Sequence, residues 1–256
     1  MIKKETVLFY AKSYDEKLLL SHLYDNYLKS LLKNYNTYSD FFSEEKTTLI
    51  KTAFCTMTDL RFDTYGGYEG AERVISAFLA NEDNKKYPVS CIEISGRNVE
   101  KLSHRDFLGA LMGLGIKREM VGDILIGKKC YVFVKEEISD FILLNLTKVG
   151  NSGVSVSLYN GEEIIKEERC EIISSTVESL RLDLIIARGF NIKRSDAVKF
   201  ISCGKVSVSG REVLSNDYKV KENEKITLKG KGKIVFLRSN GLSKKGKIII
   251  DIKRYI

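Results

Sequence analysis

Apolar residues recur at a helical period through the first part of the chain. The stripe from Leu19 to Leu31 predicts an amphipathic helix from Tyr14 to about Asn34. A second helix is predicted from Ser43 to Leu60, with Ser43 as its N-cap and two glutamates in its first turn. The next stretch, TYGGYEGAERVISAFLA, is interpreted as a glycine-broken turn that leads into a third helix. Residues 1–85 are therefore predicted to be mainly helical.

Strand-like alternation and helical spacing then follow one another in residues 86–177. The predicted elements are, in order, a strand, a helix, two strands, a helix and a strand: Val89 to Ser95, Ser103 to Gly113, Asp123 to Ile126, Cys130 to Val134, Glu136 to Leu146 and Val154 to Leu158. This βαββαβ order predicts a ferredoxin-like, RRM-like domain. Such a sheet binds RNA in RNA-recognition folds, but unrelated functions use it too. One or two further strands are predicted in Glu162 to Ser175.

The last region, residues 178–256, is predicted to be a small α+β domain. Leu182, Ile185, Ile186 and Gly189 give a short amphipathic helix that ends at a glycine cap. Ser195 is placed to cap a second helix, which ends at Gly204 and directs Val198 and Ile201 inward. Strands are predicted around Val206 to Val208 and Lys225 to Leu228, with Ser209-Gly210 as a turn. The chain as a whole is predicted to be of the α+β class.

The charge is distributed unevenly along the chain. Residues 181–256 carry 19 Lys and Arg against 7 Asp and Glu, whereas residues 1–180 carry 23 against 27. A net charge of +12 in the last 76 residues indicates a polyanionic partner for that segment alone. The apolar runs are too short for a signal peptide or a membrane span, so a cytoplasmic protein without membrane insertion is expected. Five widely spaced cysteines predict neither a disulfide framework nor a zinc site.

Eight residues of the basic segment form a candidate RNA-binding surface. Arg181 and Arg188 share a helix face, and Lys193 and Arg194 lie at the start of the second helix, where exposed backbone N–H groups favour phosphate. The full set of candidates is Arg181, Arg188, Lys193, Arg194, Ser195, Lys199, Lys205 and Arg211. Each also has a structural interpretation: Arg181 can pair with Asp183 or Glu178, Ser195 can act only as a cap, and Lys199 can pair with Asp196.

The same segment resembles the S4 RNA-binding domain over residues 180–240. The resemblance depends on RLD at Arg181 to Asp183, Gly189, Arg194-Ser195, Ala197 and G-K-V-x-V-x-G from Gly204 to Gly210. Lys193 stands where a serine is frequent, and Ser209 where an asparagine is usual. In that family two helices and the following loop hold the backbone of folded RNA. The resemblance therefore implies RNA contacts by Arg181, Arg194, Ser195, Lys199 and Lys205; Arg188, Lys193 and Arg211 follow from charge and helix position alone.

Two further motifs extend the resemblance to most of the chain. YGGYEGAER at Tyr65 to Arg73 and LSHRDFLGALMGLGIKREMVGDI at Leu102 to Ile124, followed by an S4 domain, are similar to the bacterial YlmH family. The resemblance implies a ribosome-associated protein, related to the smaller S4 protein RqcP of ribosome-associated quality control. In that system the S4 domain holds large-subunit rRNA and peptidyl-tRNA. The implied partners are structured rRNA, tRNA and the large ribosomal subunit.

An rRNA-modifying enzyme is the main alternative class. S4 domains accompany pseudouridine synthases and methyltransferases, but no strand followed by a glycine-rich cofactor loop is visible here. The glycines Gly66, Gly67 and Gly70 form no phosphate-loop motif, and SHRDF at Ser103 to Phe107 is better interpreted as a capped helix start than as a catalytic set. No catalytic residue, metal, cofactor or small-molecule substrate is therefore predicted. A cell-division-linked adaptor at a membrane surface is a further alternative, although no basic amphipathic helix supports it.

Overall fold

The structure is a computed structural model that describes residues 1–83, 85–161 and 170–255. It divides into two compact units, residues 1–166 and residues 167–256. The first unit includes both the N-terminal region and the ferredoxin-like domain predicted from the sequence. The second includes the basic segment. Of the strands predicted between Glu162 and Ser175, the part in residues 162–169 lies outside the described residues.

Helices and a small sheet together form the beginning of the first unit. The elements are α1 (Lys4–Leu8), α2 (Tyr14–Lys33), β1 (Thr37–Phe42), α3 (Glu44–Ala53), β2 (Arg61–Tyr65) and β3 (Val74–Leu79). Helix α2 is confirmed, with the Ser13 hydroxyl accepting a hydrogen bond from the Glu16 N–H at 3.2 Å. Helix α3 starts as predicted but ends at Ala53, and its expected N-cap Ser43 makes no capping hydrogen bond. A helical N-terminus is confirmed, and a three-stranded sheet is added to it.

The predicted third helix is wrong, because VISAFL forms strand β3. This strand lies in the centre of an antiparallel sheet of order β1-β3-β2, and five of its six residues are buried. A strand that is covered on both faces has a continuous apolar run instead of alternation. Such a run has no period that distinguishes a strand from a helix, and its β-branched start, Val74 and Ile75, was the only local indication.

The middle of the chain has the predicted ferredoxin-like order. Its elements are β4 (Val89–Ser95), α4 (His104–Gly113), β5 (Val121–Ile126), β6 (Cys130–Lys135), α5 (Ser139–Asn145), β7 (Lys148–Val149), β8 (Ser152–Gly153) and β9 (Ser155–Leu158). The four-stranded antiparallel sheet has the order β5-β6-β4-β9, which is the arrangement of the βαββαβ fold. Phe107 and Leu111 of α4 and Ile142 of α5 are fully buried against one face of this sheet.

The second unit is a six-stranded antiparallel sheet with two helices. Its elements are β10 (Cys170–Val177), α6 (Leu182–Gly189), α7 (Arg194–Ser202), β11 (Val206–Val208), β12 (Arg211–Glu212), β13 (Lys225–Leu228), β14 (Gly232–Leu242) and β15 (Ile248–Tyr255). The strand order is β10-β15-β14-β13-β11-β12. Leu182, Ile185 and Ile186 of α6 pack into the core as predicted, together with Phe236 and Ile252 of the sheet. None of the helices in the described residues is long and apolar enough to cross a membrane.

Three local predictions for the second unit need correction. Gly189 is not a cap but the last residue of α6, and a Cβ there would lie 2.4 Å from the Ile234 side chain, so close packing requires the glycine. Ser195 lies inside α7, whose N-cap is Lys193, and it caps nothing. The buried residues of α7 are Ala197 and Ile201; Val198 is half-buried and lies outside the core cluster.

Candidate nucleic-acid interface

The start of α6 is held by backbone hydrogen bonds from a segment much later in the chain. The Leu182 N–H donates to the Tyr218 carbonyl at 2.9 Å, and the Val220 N–H donates to the Leu180 carbonyl at 2.9 Å. Arg181 lies between these bonds in a single antiparallel bridge with Lys219. Its backbone is extended, and it is the N-cap of α6. The position of Arg181 is thus fixed by the fold rather than by its own side chain.

One buried carboxylate brings two of the predicted arginines together. The Asp183 side chain is 1% exposed, and its two oxygens accept hydrogen bonds from different residues. Arg181 Nε donates to Oδ1 at 3.0 Å, and Arg194 Nε donates to Oδ2 at 2.8 Å. Arg181 is the N-cap of α6 and Arg194 is the first residue of α7, so the carboxylate also ties the two helix starts to each other.

The two guanidinium groups keep Asp183 ionised. Burial alone would raise the pKa of this carboxyl group, because it disfavours the charged form. The hydrogen bonds and positive charges of Arg181 and Arg194 outweigh burial, so the pKa of Asp183 lies below its ordinary value. Removing one partner from a buried ion pair costs about 3–5 kcal/mol, since it leaves a buried charge without compensation. Both arginines are therefore needed to compensate the buried charge of Asp183.

The two arginines keep further donors directed away from Asp183. Their side chains are 36% and 54% exposed, for Arg181 and Arg194 respectively. A guanidinium group has five N–H donors, and Asp183 takes only the Nε donor of Arg194 and the Nε and one Nη donor of Arg181. Because the carboxylate fixes each guanidinium plane, the remaining donors are preorganised. This geometry suits charge-assisted contacts with phosphate oxygens.

Four other candidates lie on the surface of the two helices. Lys193 and Ser195 flank Arg194 at the start of α7, Lys199 lies in its last turn, and Arg188 lies in the last turn of α6; all four are exposed. Within the part of the chain that the structure describes, none of the three basic residues forms an ion pair. The alternative pairing of Lys199 with Asp196 is therefore not seen there, whereas the pairing of Arg181 with Asp183 is confirmed.

The last two candidates lie on the sheet side of the domain. Lys205 follows α7, and its amine lies 5.7 Å from the centre of the Phe200 ring. Arg211 begins β12, directly after the turn at Ser209 and Gly210, where both residues have positive φ angles. Arg188 is separated from Arg181 by the length of α6, about 10 Å for seven residues. The structure therefore groups Arg181, Lys193, Arg194 and Ser195 at the two helix starts, whereas Arg188 and Lys199 lie in the last turns of α6 and α7.

The sheet of the ferredoxin-like domain is the second surface that could contact RNA. Its second face, opposite α4 and α5, is the face that stacks bases in RNA-recognition folds. Tyr68 stacks on Phe133 of β6 with ring centres 4.9 Å apart, and Phe41 and Ile75 complete the cluster. Gly67 lies so close that a Cβ would meet the Phe133 ring at 2.1 Å. The part of this face around Phe133 is thus covered by the N-terminal part of the same unit.

Another part of that face carries two half-buried tyrosines. Tyr131 and Tyr159 meet edge to face with ring centres 5.0 Å apart, and Lys129 forms a 2.7 Å ion pair with Glu93 beside them. Two aromatic rings and one paired lysine give far less positive charge than the S4 helices carry. RNA contact through this sheet would be confined to this corner.

The SHRDF motif forms the start of helix α4. The Ser103 N–H and hydroxyl both donate to Asp106 Oδ2, at 2.8 and 2.7 Å, so the SHRDF motif forms a capping box at the start of α4. Among residues 1–83, 85–161 and 170–255, no three His, Cys, Asp or Glu side chains form a group that could hold a metal ion. Cys91 and Cys130 have pKa values raised to about 12, mainly by burial.

Comparison with known proteins defines the class first. One family model, described as "Putative RNA-binding domain in YlmH", matches residues 83–163, and a model of the S4 domain matches residues 180–226. The S4 match contains Arg181, Asp183 and Arg194. The chain therefore contains a YlmH-type domain and an S4 domain, both of RNA-binding types.

A curated relative supports the same family. The "Ribosome-associated protein quality control protein P2" of Bacillus subtilis (strain 168) is 28% identical over 225 residues, which are 83% of this chain and 85% of the relative. The solved structure of the "Cell division protein ylmH from Streptococcus pneumoniae" aligns at 19% identity and a TM-score of 0.48, over 58% of this chain and 93% of that one. The domain pair and the curated relative confirm the resemblance to the YlmH family.

Proposed function

We propose that the chain is a non-enzymatic protein of the bacterial cytoplasm that binds structured rRNA of the large ribosomal subunit, and tRNA, through its S4 domain. It would act in the quality control of stalled nascent chains. The observation that carries this proposal is the Asp183 carboxylate, which holds Arg181 and Arg194 side by side with unused donors. The printed name of the Bacillus subtilis relative supports the ribosomal context.

The charge distribution favours folded RNA as the partner. Paired guanidinium groups on a fixed scaffold recognise phosphates at a defined spacing, and exposed lysines around them add sequence-independent attraction. The S4 surface supplies both kinds of group: Arg181 and Arg194 are fixed, whereas Arg188, Lys193 and Lys199 are exposed. A surface of this composition binds RNA shape and backbone rather than base sequence.

An enzyme that modifies rRNA is the competing proposal, and no specific observation favours it. An open cleft of about 570 Å³ in the first unit is lined by polar residues that include Lys29, Lys135 and Glu136. The Lys135 amine in this cleft donates to the Ser39 carbonyl at 3.0 Å, which assigns it a structural role. We therefore retain the binding function.

Crosslinking of the full-length protein to RNA in cells, followed by sequencing, tests the proposal. Crosslinked reads are expected to concentrate on large-subunit rRNA and on tRNA. A variant with Lys193→Glu and Lys199→Glu should lose most of these reads at equal protein abundance. Reads spread over total RNA in proportion to abundance, or unchanged in the variant, would contradict the proposal.

A further inference from the structure

The second unit has a two-stranded arm, formed by residues 238–247 at the ends of β14 and β15, that lies outside the part matched by the S4 model. Strand β13 pairs with β14 only as far as Val235, whereas β14 and β15 remain paired out to Leu242 and Ile248. The S4 match ends at residue 226, so this two-stranded arm lies outside the matched residues. Two register shifts between its strands, at Phe236/Arg238 and Ser239/Leu242, increase the local twist.

A tight turn at the tip of the arm holds two lysines in a defined position. The Gly246 N–H donates to the Ser243 carbonyl at 2.9 Å, and the Ser243 N–H donates to the Lys247 carbonyl at 2.7 Å. Gly246 has a φ of +75°, so the hairpin loop is a turn followed by a left-handed glycine. Lys244 and Lys245 occupy the two central positions. Most residue types fit these positions, so the fold does not require lysine at either of them.

The arm carries positive charge only. Residues 238–247 contain Arg238, Lys244, Lys245 and Lys247 and no acidic residue. Arg238 is paired with Asp251 at 3.1 Å, and Lys247 lies 3.6 Å from Glu178. Lys244 and Lys245 are exposed, and within the described residues neither forms an ion pair. Two adjacent cations without a structural role therefore lie at the tip.

Direct contacts connect the arm to the region that holds Arg181. Ile248 at the base of the arm pairs with Val177, four residues before Arg181. The Ser239 N–H donates to Glu222 at 2.7 Å, and Glu222 lies just beyond Val220, which is bonded to Leu180. Lys219 and Lys221, on either side of Val220, are exposed. Two exposed lysines thus lie on the segment that connects the region of Arg181 to the arm.

We propose that the tip of this arm, with Lys244 and Lys245, is a second contact for RNA backbone that extends the binding surface beyond the S4 domain. This inference rests on the proposed function. The arm adds phosphate contacts at a distance from Arg181 and Arg194. An RNA with two backbone segments at that separation, as in a folded rRNA or tRNA, is therefore bound better than a single strand.

Salt-dependent binding of the full-length protein to purified large ribosomal subunits tests the proposal. The variant with Lys244→Ala and Lys245→Ala should bind on the order of ten- to thirtyfold more weakly at about 0.15 M salt, with a salt slope reduced by about 1.8, because each lost duplex phosphate contact contributes about 0.9. Its thermal unfolding should not change. The matched control carries Lys46→Ala and Lys51→Ala, two exposed lysines on α3 of the first unit, and should bind like the wild type.

The outcomes separate this inference from the proposed function. If the arm variant binds with unchanged affinity and slope while a Lys193→Glu, Lys199→Glu variant binds weakly, the arm is not an RNA contact and the proposed function stands. If neither variant is affected, the proposed function fails as well. Binding to vesicles that contain phosphatidylserine is the last measurement. If the Lys244→Ala, Lys245→Ala variant loses vesicle binding but keeps RNA binding, the tip contacts a membrane surface and the proposal is overturned.

Discussion

Each of the two units has a carboxylate that accepts several hydrogen bonds. The carboxylate of the first unit fastens a loop within the fold, whereas that of the second unit positions two arginines at the surface. In the first unit Asp123 accepts hydrogen bonds from the Tyr68 hydroxyl at 2.7 Å and from the N–H groups of Glu72 and Arg73 at 2.7 and 3.2 Å. All three donors belong to the YGGYEGAER motif, so Asp123 fastens this motif onto β5 and β6. In the second unit Asp183 holds two arginines whose other donors remain available.

The arginines of the two units differ in the same way. Arg73 donates to the carbonyls of Val121 and Phe41, both at 3.0 Å, and its pKa is lowered to about 10, chiefly by burial and then by the charge of Arg118. Among the residues that the structure describes, Arg194 donates only through Nε, to Asp183. The donors of Arg73 are thus used within the fold, whereas Arg194 keeps donors that suit the RNA contact proposed for it.

The largest expected loss of stability concerns the covered face of the four-stranded sheet in the first unit. Replacing Tyr68 by Ala removes a ring that is 3% exposed and uncovers Phe133, and it should destabilise the first unit by about 4 kcal/mol. Urea unfolding followed by circular dichroism measures this. A decrease of less than about 1 kcal/mol in the free energy of unfolding would show that Tyr68 and Phe133 do not form a packed core.

A somewhat smaller loss of stability is expected for a substitution of Asp183 in the second unit. Asp183→Asn keeps the size of the side chain but replaces one acceptor oxygen by an amide donor that faces a guanidinium donor, so the loss of charge-assisted hydrogen bonds should cost the second unit about 3 kcal/mol. Asp196→Asn, an acidic residue of α7 outside this cluster, is the control and should cost at most about 1 kcal/mol. Equal unfolding midpoints for the two variants would refute the role of Asp183.

The Asp183 effect should also depend on pH. The pKa of this carboxyl group is lower in the folded chain than in the unfolded one, so its contribution is complete above the unfolded value of about 4 and is lost as the pH falls through the folded value. The stability difference between wild type and Asp183→Asn should therefore shrink in acid below about pH 4. A difference that stays constant down to about pH 2 would contradict the ion-pair account.

No effect at all is expected on nucleoside modification. If neither unit is catalytic, rRNA from cells with and without the gene should give identical modified nucleosides by mass spectrometry. A missing methyl group or pseudouridine that the purified protein restores would overturn the non-enzyme proposal.

Sequence patterns predicted elements with a clear period and failed where burial removes the period. The sequence pattern predicts β4, which alternates, and also β6, which follows the short turn after β5, although five of the six residues of β6 are buried. The central strand β3 has a continuous apolar run, and the pattern wrongly predicts a helix there. Strands β1 and β2 were missed because they are short and lie between strong helical signals. A local pattern was thus enough to predict the position of a residue such as Lys193, at the start of α7.

Contacts between distant residues could not be predicted in the same way. The meeting of Arg181 and Arg194 depends on how α6 packs on α7, and eleven residues separate Asp183 from Arg194. The motif RLD indicated only the local pair of Arg181 and Asp183. The shared carboxylate has a practical consequence, because charge reversal at both arginines would place three carboxylates together and disturb the fold. Exposed lysines are therefore the cleaner test of the RNA surface.

Sedimentation of full-length variants with ribosomes tests the S4 surface most directly. Lys193→Glu and Lys199→Glu reverse two exposed charges at the start and in the last turn of α7, where the helix-dipole effects on stability oppose each other. The control, Lys46→Glu and Lys51→Glu, makes the same change near the start and in the last turn of α3. We predict that the α7 variant leaves the large-subunit fraction of a sucrose gradient while the α3 variant stays. A folded α7 variant that co-sediments like the wild type would contradict the assignment of RNA binding to the S4 helices.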